Sequence, residues 1–316
     1  VKTIVTGASG MDGSYLIEDL LARGDEVWGI VRRNSTNNLG NIQPWVLGNR
    51  YFHLVEGDIT DISFLESLFA KVMPEQIYNL AAQSHVGTSF ELPIYTMNVT
   101  GLGAMNIMHT MKSVCPEAKL LQASSSEMYG NAKEKDFPLN ETTPLRPVSP
   151  YAVAKTAAHH MASIMRKRGL WVSTSICFNH ESPRRGEKFL TAKVIKAASK
   201  KQPVKLGNLD AIRDWGYAIE YVEGMQKILD HTEPDDFVLA TGEGFSVKDF
   251  VDQTYKAMGL NSDDYVEYNV PEFVRPVELN KLVGNPMKAK RLLGWEAQIE
   301  FYTLIDIMLD YAILFE

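Results

Sequence analysis

Apolar positions along the chain fall into short runs of strand length, separated by longer stretches in which they recur every three or four residues. Together these are the signatures of a parallel sheet covered by helices. "KTIVTG" is read as the first strand, "DGSYLIEDLLARG" as a helix and "EVWGIVRR" as the second strand. "YFHLVEGD" with "ISFLESLFAKV" supplies the third strand and its helix, and "EQIYNLAA" the fourth strand. A long helix is predicted over roughly 91–114, followed by the fifth strand in "KLLQASS". The helix "SPYAVAKTAAHHMASIMRKRG" and a sixth strand, "LWVSTSICFN", complete the alternation. Beyond Asn179 the pattern breaks into shorter pieces such as "QPVKLGN", "DFVLATG" and "FSVKDFVDQTYKAMG".

The expected fold class is therefore α/β, a Rossmann-type doubly wound parallel sheet with a smaller, interleaved α/β substrate-binding lobe. Residues 1–178 plus about 211–240 are assigned to the main domain, and about 179–210 and 241–316 to the lobe. No internal repeat or low-complexity linker separates independent units, and a cleft between the two parts is the expected ligand site.

Composition narrows the partners. The chain has 316 residues, 45% of them hydrophobic, which is ample for a large core. A net charge of -7 argues against nucleic acid or an acidic membrane surface as the main partner, while leaving room for a local basic pocket for phosphates. The two cysteines, Cys115 and Cys177, lie in apolar surroundings, so neither a disulfide framework nor a zinc site is expected, in keeping with a reducing cytoplasm. No apolar run of about 18 residues occurs and no signal peptide is read at the start.

The first chemical motif is "TGASGMDG", with Gly7, Gly10 and Gly13 between a strand and a helix. Glycines there permit a tight turn and let the backbone approach a pyrophosphate, whose charge is favoured by the amides at the helix start. Met11 and Asp12 belong to the same turn. Where an NAD site would carry an acid for the ribose, the second strand ends in Arg32 and Arg33, which suit a 2'-phosphate and favour NADP. Asp58 and Ile59 are expected beside the adenine, with Leu80, Ala81, Ala82, Gln83 and Ser84 running under the cofactor.

The second motif is "YAVAK". Tyr151 and Lys155, four residues apart, share one helix face, where an ammonium can lower the phenol pKa and make Tyr151 a base near neutral pH. A serine cluster with Glu127 directly behind it, "ASSSEMYG", follows the fifth strand. A plain hydride-transfer enzyme needs the serine, tyrosine and lysine but has no use for that carboxylate.

These placements resemble the extended short-chain dehydrogenase/reductase superfamily. More closely, "MDGSYL", "RRNS", "YNLAAQSHV", "QASSSEMYG", "SPYAVAK", "FNHESPRRG", "LGNLDAIRDWG" and "RPVEL" are similar to the GDP-mannose 4,6-dehydratase family, from the first strand to the last helix. The resemblance implies a redox-neutral dehydration of GDP-mannose to GDP-4-keto-6-deoxy-mannose with tightly bound NADP. Ser125 would then hydrogen-bond the sugar near C4, Tyr151 with Lys155 would act at the C4 hydroxyl, and Glu127 would be the acid/base of the elimination. Tyr95, His180 and Arg185 match cofactor-contacting positions. Asn179, Lys193, Arg213, Glu278 and Arg275, with Ser84 and Glu127, match nucleotide-sugar positions. The family also implies a homodimer or homotetramer, with the 32–50 loop reaching a neighbouring subunit. The sequence departs from the family pattern at Met11, Ser125, Val148 and Asn280; Ser125 keeps the hydroxyl that its usual threonine supplies.

Two other classes compete. One is an NADP-dependent reductase or epimerase on another nucleotide sugar, in which Glu127 would be spare. The other is a non-catalytic NADP-binding sensor, which has no need of a poised phenolate. Several tempting residues carry blander readings. His159 and His160 point about 100° apart on a helix, a poor chelate, and are read as packing or surface residues, with no metal site. His85 is read as a structural hydrogen-bonding residue, "KAASKK" as a solvated helix end and the methionines of "MNIMHTMK" as core or subunit packing.

Overall fold

The computed structural model describes residues 1–33, 39–273 and 276–315. Its centre is a seven-stranded parallel sheet. The strands are β1 (Lys2–Thr6), β2 (Glu26–Val31), β3 (Phe52–Glu56), β4 (Gln76–Asn79), β5 (Lys119–Ser125) and β6 (Val172–Cys177), with Asp236–Leu239 as the seventh. Across the sheet they run β3, β2, β1, β4, β5, β6 and then Asp236–Leu239. The order reverses between β1 and β4, and the crevice at their carboxyl ends is where such sheets bind ligands.

The central strands are buried on both faces, as a parallel sheet with helices on each side requires. One face packs Leu16, Ile17 and Leu20 against Met225 and Ile228; the other packs Leu65 and Phe69 against Ile107 and Met111. The Asp236–Leu239 strand pairs in register with β6, so part of "DFVLATG" belongs to the main sheet. The predicted sixth strand is interrupted at Phe178 and resumes as Asn179–Glu181, paired with Trp215–Tyr217 instead of the main sheet.

The long helix expected over roughly 91–114 is not uniform. Pro93–Thr96 leads into a π-helical turn, Met97–Leu102, before Gly103–Val114 continues as α-helix. The smaller lobe gathers helices Leu190–Ser199, Val247–Ala257 and Phe301–Phe315 around a core in which Phe245 and Phe301 stack at 4.0 Å. Among the described residues, no helix is long and apolar enough to cross a membrane.

Candidate active site

A single cleft of about 1170 Å³ runs from the β1 turn to the smaller lobe. Its first wall is built by the glycine turn, and Gly7, Gly10, Met11, Asp12 and Gly13 all line it. Gly7 has φ +69°, and a Cβ at Gly13 would lie 2.3 Å from the Gly7 carbonyl oxygen, so no side chain fits there. Helix Met11–Ala22 starts behind Gly10 with no side-chain cap, leaving first-turn amides for an anion. These features fit the pyrophosphate of a dinucleotide.

Arg32 lines the cleft beyond β2 and donates a hydrogen bond to the Tyr95 phenol, bringing those two expected residues together. Arg33, the next residue, is exposed and stands outside the lining. Asp58 and Ile59 also line the cleft, but the Asp58 carboxylate is engaged by the Thr60 amide at 2.9 Å and hydroxyl at 2.8 Å. Leu80 to Ser84 form the floor.

That floor is pinned from below. The Ala81 amide donates to Thr6 Oγ1 at 3.0 Å, the Gln83 amide to Thr100 Oγ1 at 3.0 Å, and the Gln83 side-chain amide to Thr96 Oγ1 at 3.0 Å. Thr100 lies on the π turn, and the next residue, Gly101, packs close to Ala154 of helix Pro150–Lys167. One turn thus braces both the floor loop and the helix that carries Tyr151. Nothing in the apolar periodicity reveals such a turn, which functional sites often use.

At the carboxyl end of β5 the cleft collects Ser125, Glu127, Tyr151 and Lys155, the four expected catalytic residues. Ser149 caps helix Pro150–Lys167 by accepting from the Ala152 amide at 3.1 Å, and Pro150 presets its first turn. Ser125 ends β5 and caps the one-turn 3₁₀ helix Ser126–Tyr129, its Oγ accepting from the Glu127 amide at 3.3 Å. Burial pushes the Tyr151 phenol well above its usual range, the Ser125 hydrogen bond pulls it back in part, and the Glu127 charge raises it. Lys155 Nζ donates to the Ala123 carbonyl at 2.8 Å while lying 5.9 Å from the centre of the Tyr151 ring, and burial pulls the ammonium down to about 8. One of the three ammonium donors is thus taken by the β5 backbone.

At the lobe side, His180 reaches back to Asp12, and Arg185 pairs with Glu181 at 2.8 Å while lying over the Phe189 ring. Asn179, Lys193, Arg213 and Glu278 line the same cleft. Arg213 is buried and donates to the Ile212 and Leu279 carbonyls, both at 2.9 Å, while the Lys193 ammonium sits 4.5 Å from the Phe273 ring centroid. Arg275 lies outside the described residues, as do residues 34–38 of the 32–50 loop. Sequence reasoning missed Lys188, Phe189, Thr191, Lys205 and Asn208, all of which line the lobe side. Only the length of the irregular "SPRRGEKF" stretch hinted at a binding loop. Arg32, Lys155, Arg185, Lys188, Lys193, Lys205 and Arg213 stand in the cleft walls beside an equal number of carboxylates, so the cleft supplies cations for phosphates in a chain of net charge -7 without being basic as a whole.

His159 is buried and shares a 3.0 Å hydrogen bond with Ser124, a helix-to-strand tie. His85 accepts from the Thr88 amide at 3.1 Å through Nδ1, capping the helix Val86–Glu91, and its ring meets Phe189 edge-on.

The family model described as GDP-mannose 4,6 dehydratase matches residues 4–308. GDP-mannose 4,6 dehydratase 2 of Arabidopsis thaliana is 42% identical, covering 97% of this chain and 85% of its own length. The human GDP-mannose 4,6 dehydratase is 40% identical over 96% of this chain and 89% of its own. In three dimensions, UDP-glucose 4-epimerase of Thermus thermophilus in complex with NAD superposes with a TM-score of 0.88 at 26% identity, covering 100% of both chains. A dTDP-glucose 4,6-dehydratase of Streptomyces venezuelae gives 0.89 at 21% identity, over 98% of this chain and 96% of its own, a likeness of fold alone.

Proposed function

The chain belongs to the GDP-mannose 4,6-dehydratase family, a family of lyases, and from that premise we propose how its cleft removes water from GDP-mannose. The cofactor is a nicotinamide dinucleotide, and we assign it as NADP. Arg32 lines the cleft where a 2'-phosphate would sit, and Asp58, the nearby acid, is engaged by Thr60. The glycine turn, Leu80 to Ser84, Tyr95, Lys155, His180 and Arg185 would hold it.

Bound there, the dinucleotide would supply reversible hydride storage for a hexose oxidised at C4 and reduced at C6. The rest is proton handling by this chain. Tyr151 removes the C4 hydroxyl proton, helped by the Ser125 hydroxyl, which is already bonded to the phenol. The ketone at C4 acidifies the hydrogen at C5, and Glu127 takes that proton. Glutamic acid at the same position then protonates the departing C6 hydroxyl, so water leaves across C5 and C6, and C5 regains a proton that balances the one Tyr151 took from the C4 hydroxyl. Lys155 holds the Ser125 strand end in register through the Ala123 carbonyl. Asn179, Lys193, Arg213, Glu278 and Arg275 take the nucleotide-sugar.

The observation that carries this reading is the position of Glu127, two residues from Ser125 on the turn that Ser125 caps, in the cleft with Tyr151. A reductase or epimerase has no work for a carboxylate there. Residues 1–178 with about 211–240 hold the dinucleotide, and about 179–210 with 241–316 hold the sugar nucleotide. The protein assembles as a homodimer or homotetramer, consistent with exposed Ile94 (74%) and Leu102 (50%) on one helical stretch. Its free thiols suit a reducing cytoplasm.

Incubation with GDP-mannose should yield a product lighter by one water, with no external NADPH consumed. Stoichiometric NADPH consumption, or an unchanged mass, would overturn the assignment. Light scattering with cofactor present should give a mass at least twice that of the chain; a monomer would refute the assembly.

A further inference from the structure

His180 lies on the short strand Asn179–Glu181, where the chain leaves the main sheet for the smaller lobe. Its ring stacks on Tyr221 at 4.6 Å. Nδ1 is 2.7 Å from the Phe178 carbonyl oxygen, and Nε2 is 3.0 and 3.1 Å from the two oxygens of Asp12. A carbonyl oxygen only accepts, and so does an ionised carboxylate. A neutral imidazole carries one N–H and satisfies one such partner. Two acceptors facing two ring nitrogens require both to be protonated.

The proton shared with Asp12 could in principle sit on the carboxylate, leaving the imidazole neutral. The surroundings decide against that. Arg185 and Lys155 both act on Asp12 as positive charges and favour its ionised form, in addition to His180 itself. The groups facing His180 are Asp12 from the first turn of the Met11–Ala22 helix, Arg185 from the loop beyond, the Phe178 carbonyl and the Tyr221 ring. Burial and Arg185 oppose the imidazolium, while the charge and hydrogen bond of Asp12 outweigh them, so His180 stands above the usual histidine range. Asp12 moves the other way: burial raises it, but its partners leave it below the usual carboxylate range.

We infer that His180 is a fixed imidazolium, a positioning residue whose charge ties the dinucleotide-binding turn to the start of the sugar-binding lobe. Asp12 belongs to the glycine turn and Asn179 to the strand of His180, so the tie keeps the two half-sites in register. A histidine raised above its unfolded value stabilises fully below about pH 6.5 and loses that contribution as pH rises through its folded value. Asp12 contributes above its unfolded value and is lost only as pH falls through its lowered folded value. The tie therefore holds at neutral pH and slackens on the alkaline side, where cofactor should begin to leave. The protonation state belongs to this chain whatever the cleft binds, whereas the loss of cofactor also depends on the cleft holding NADP.

The test uses holoenzyme labelled with ¹⁵N at histidine, with the His180 signals identified by their absence in His180→Gln. At neutral pH both ring nitrogens of His180 should resonate as protonated, and in Asp12→Asn they should shift to a neutral ring. A neutral His180 in the wild type overturns the inference, and this arm needs no folded variant other than the one used for assignment. In parallel, the fraction of NADP retained through gel filtration is followed from about pH 6 to about pH 9. Retention should fall several-fold in the wild type and be lower, with a shallower slope, in His180→Gln, where Lys155 is left to titrate alone. A variant that keeps the wild-type slope removes His180 as its cause. A cofactor absent from the wild type at every pH, beside a charged His180, would instead count against the NADP assignment.

Discussion

Lys155 Nζ lies 2.8 Å from the carbonyl oxygen of Ala123, and 5.9 Å from the centre of the Tyr151 ring on its own helix. The lysine therefore braces the strand end that presents Ser125. Lys155→Met should lower kcat for water loss by about 10²–10⁴-fold, the range expected when acid–base groups are misplaced. Arginine should not restore it, because the planar fork cannot replace an ammonium in a buried slot. The ammonium, lowered to about 8 by burial, is charged below that pH and neutral above it. Activity that depends on its charge should thus fall as pH rises through about 8, read from a pH–kcat profile; unchanged turnover in Lys155→Met would remove its assigned role.

Glu127→Gln keeps the shape of the turn but removes the base. Elimination should stop, and solvent deuterium should no longer enter C5 of the bound hexose, while GDP-mannose affinity by calorimetry stays within a few-fold. Dehydration at the wild-type rate by this variant would refute the proton-transfer role.

Gly130 ends the Glu127 turn with φ +58°, and a Cβ there would lie 1.7 Å from the Arg146 carbonyl oxygen. The segments meet because the Arg146 amide donates to the Met128 carbonyl at 2.9 Å. Gly130→Ala must therefore push the two strands of this corner apart. We expect a loss of more than about 1 kcal/mol in a urea melt and a larger fractional loss of activity than of stability, since Glu127 moves with the corner.

Much of this was legible before any coordinates. The strand–turn–helix around Gly7 to Gly13 and the face shared by Tyr151 and Lys155 are local consequences of chain geometry, and local geometry is what residue spacing encodes. The direction of the Lys155 side chain was not, because four-residue spacing puts two residues on one face without saying what else that face meets. The π turn at Met97–Leu102 escaped for a related reason: apolar periodicity reports the buried face of a helix, not the register of its backbone hydrogen bonds. Phe178 interrupts the predicted sixth strand because its neighbours on either side pair with different sheets, a tertiary choice. Lys188 and Phe189 sit in irregular chain and reach the cleft only through the lobe's placement.

Asp214, adjacent to Arg213, accepts from the Thr241 amide at 2.8 Å and hydroxyl at 2.7 Å, and from the Gly242 and Gly284 amides at 3.0 and 3.1 Å. An amide in its place would present hydrogens to donors. Asp214→Asn should cost about 1–3 kcal/mol or more by chemical denaturation. Burial pushes Asp214 up to about 6, the four hydrogen bonds opposing. With a folded value above the unfolded one, the native state holds this proton more tightly, so the carboxyl costs stability as pH climbs from about 4 to about 6 and no further. The stability gap between wild type and Asp214→Asn should accordingly narrow over that window; a gap that widens contradicts the assignment of the proton.

Among the described residues, one cleft takes in Gly10 at one end and Phe273 at the other. One molecule bearing an adenosine diphosphate at one end and a guanosine diphosphate at the other would address both halves at once. Once the first end is seated, the second associates intramolecularly, at an effective concentration in the millimolar range for a short flexible linker. Such bisubstrate compounds would distinguish this cleft from proteins that share only one of its halves.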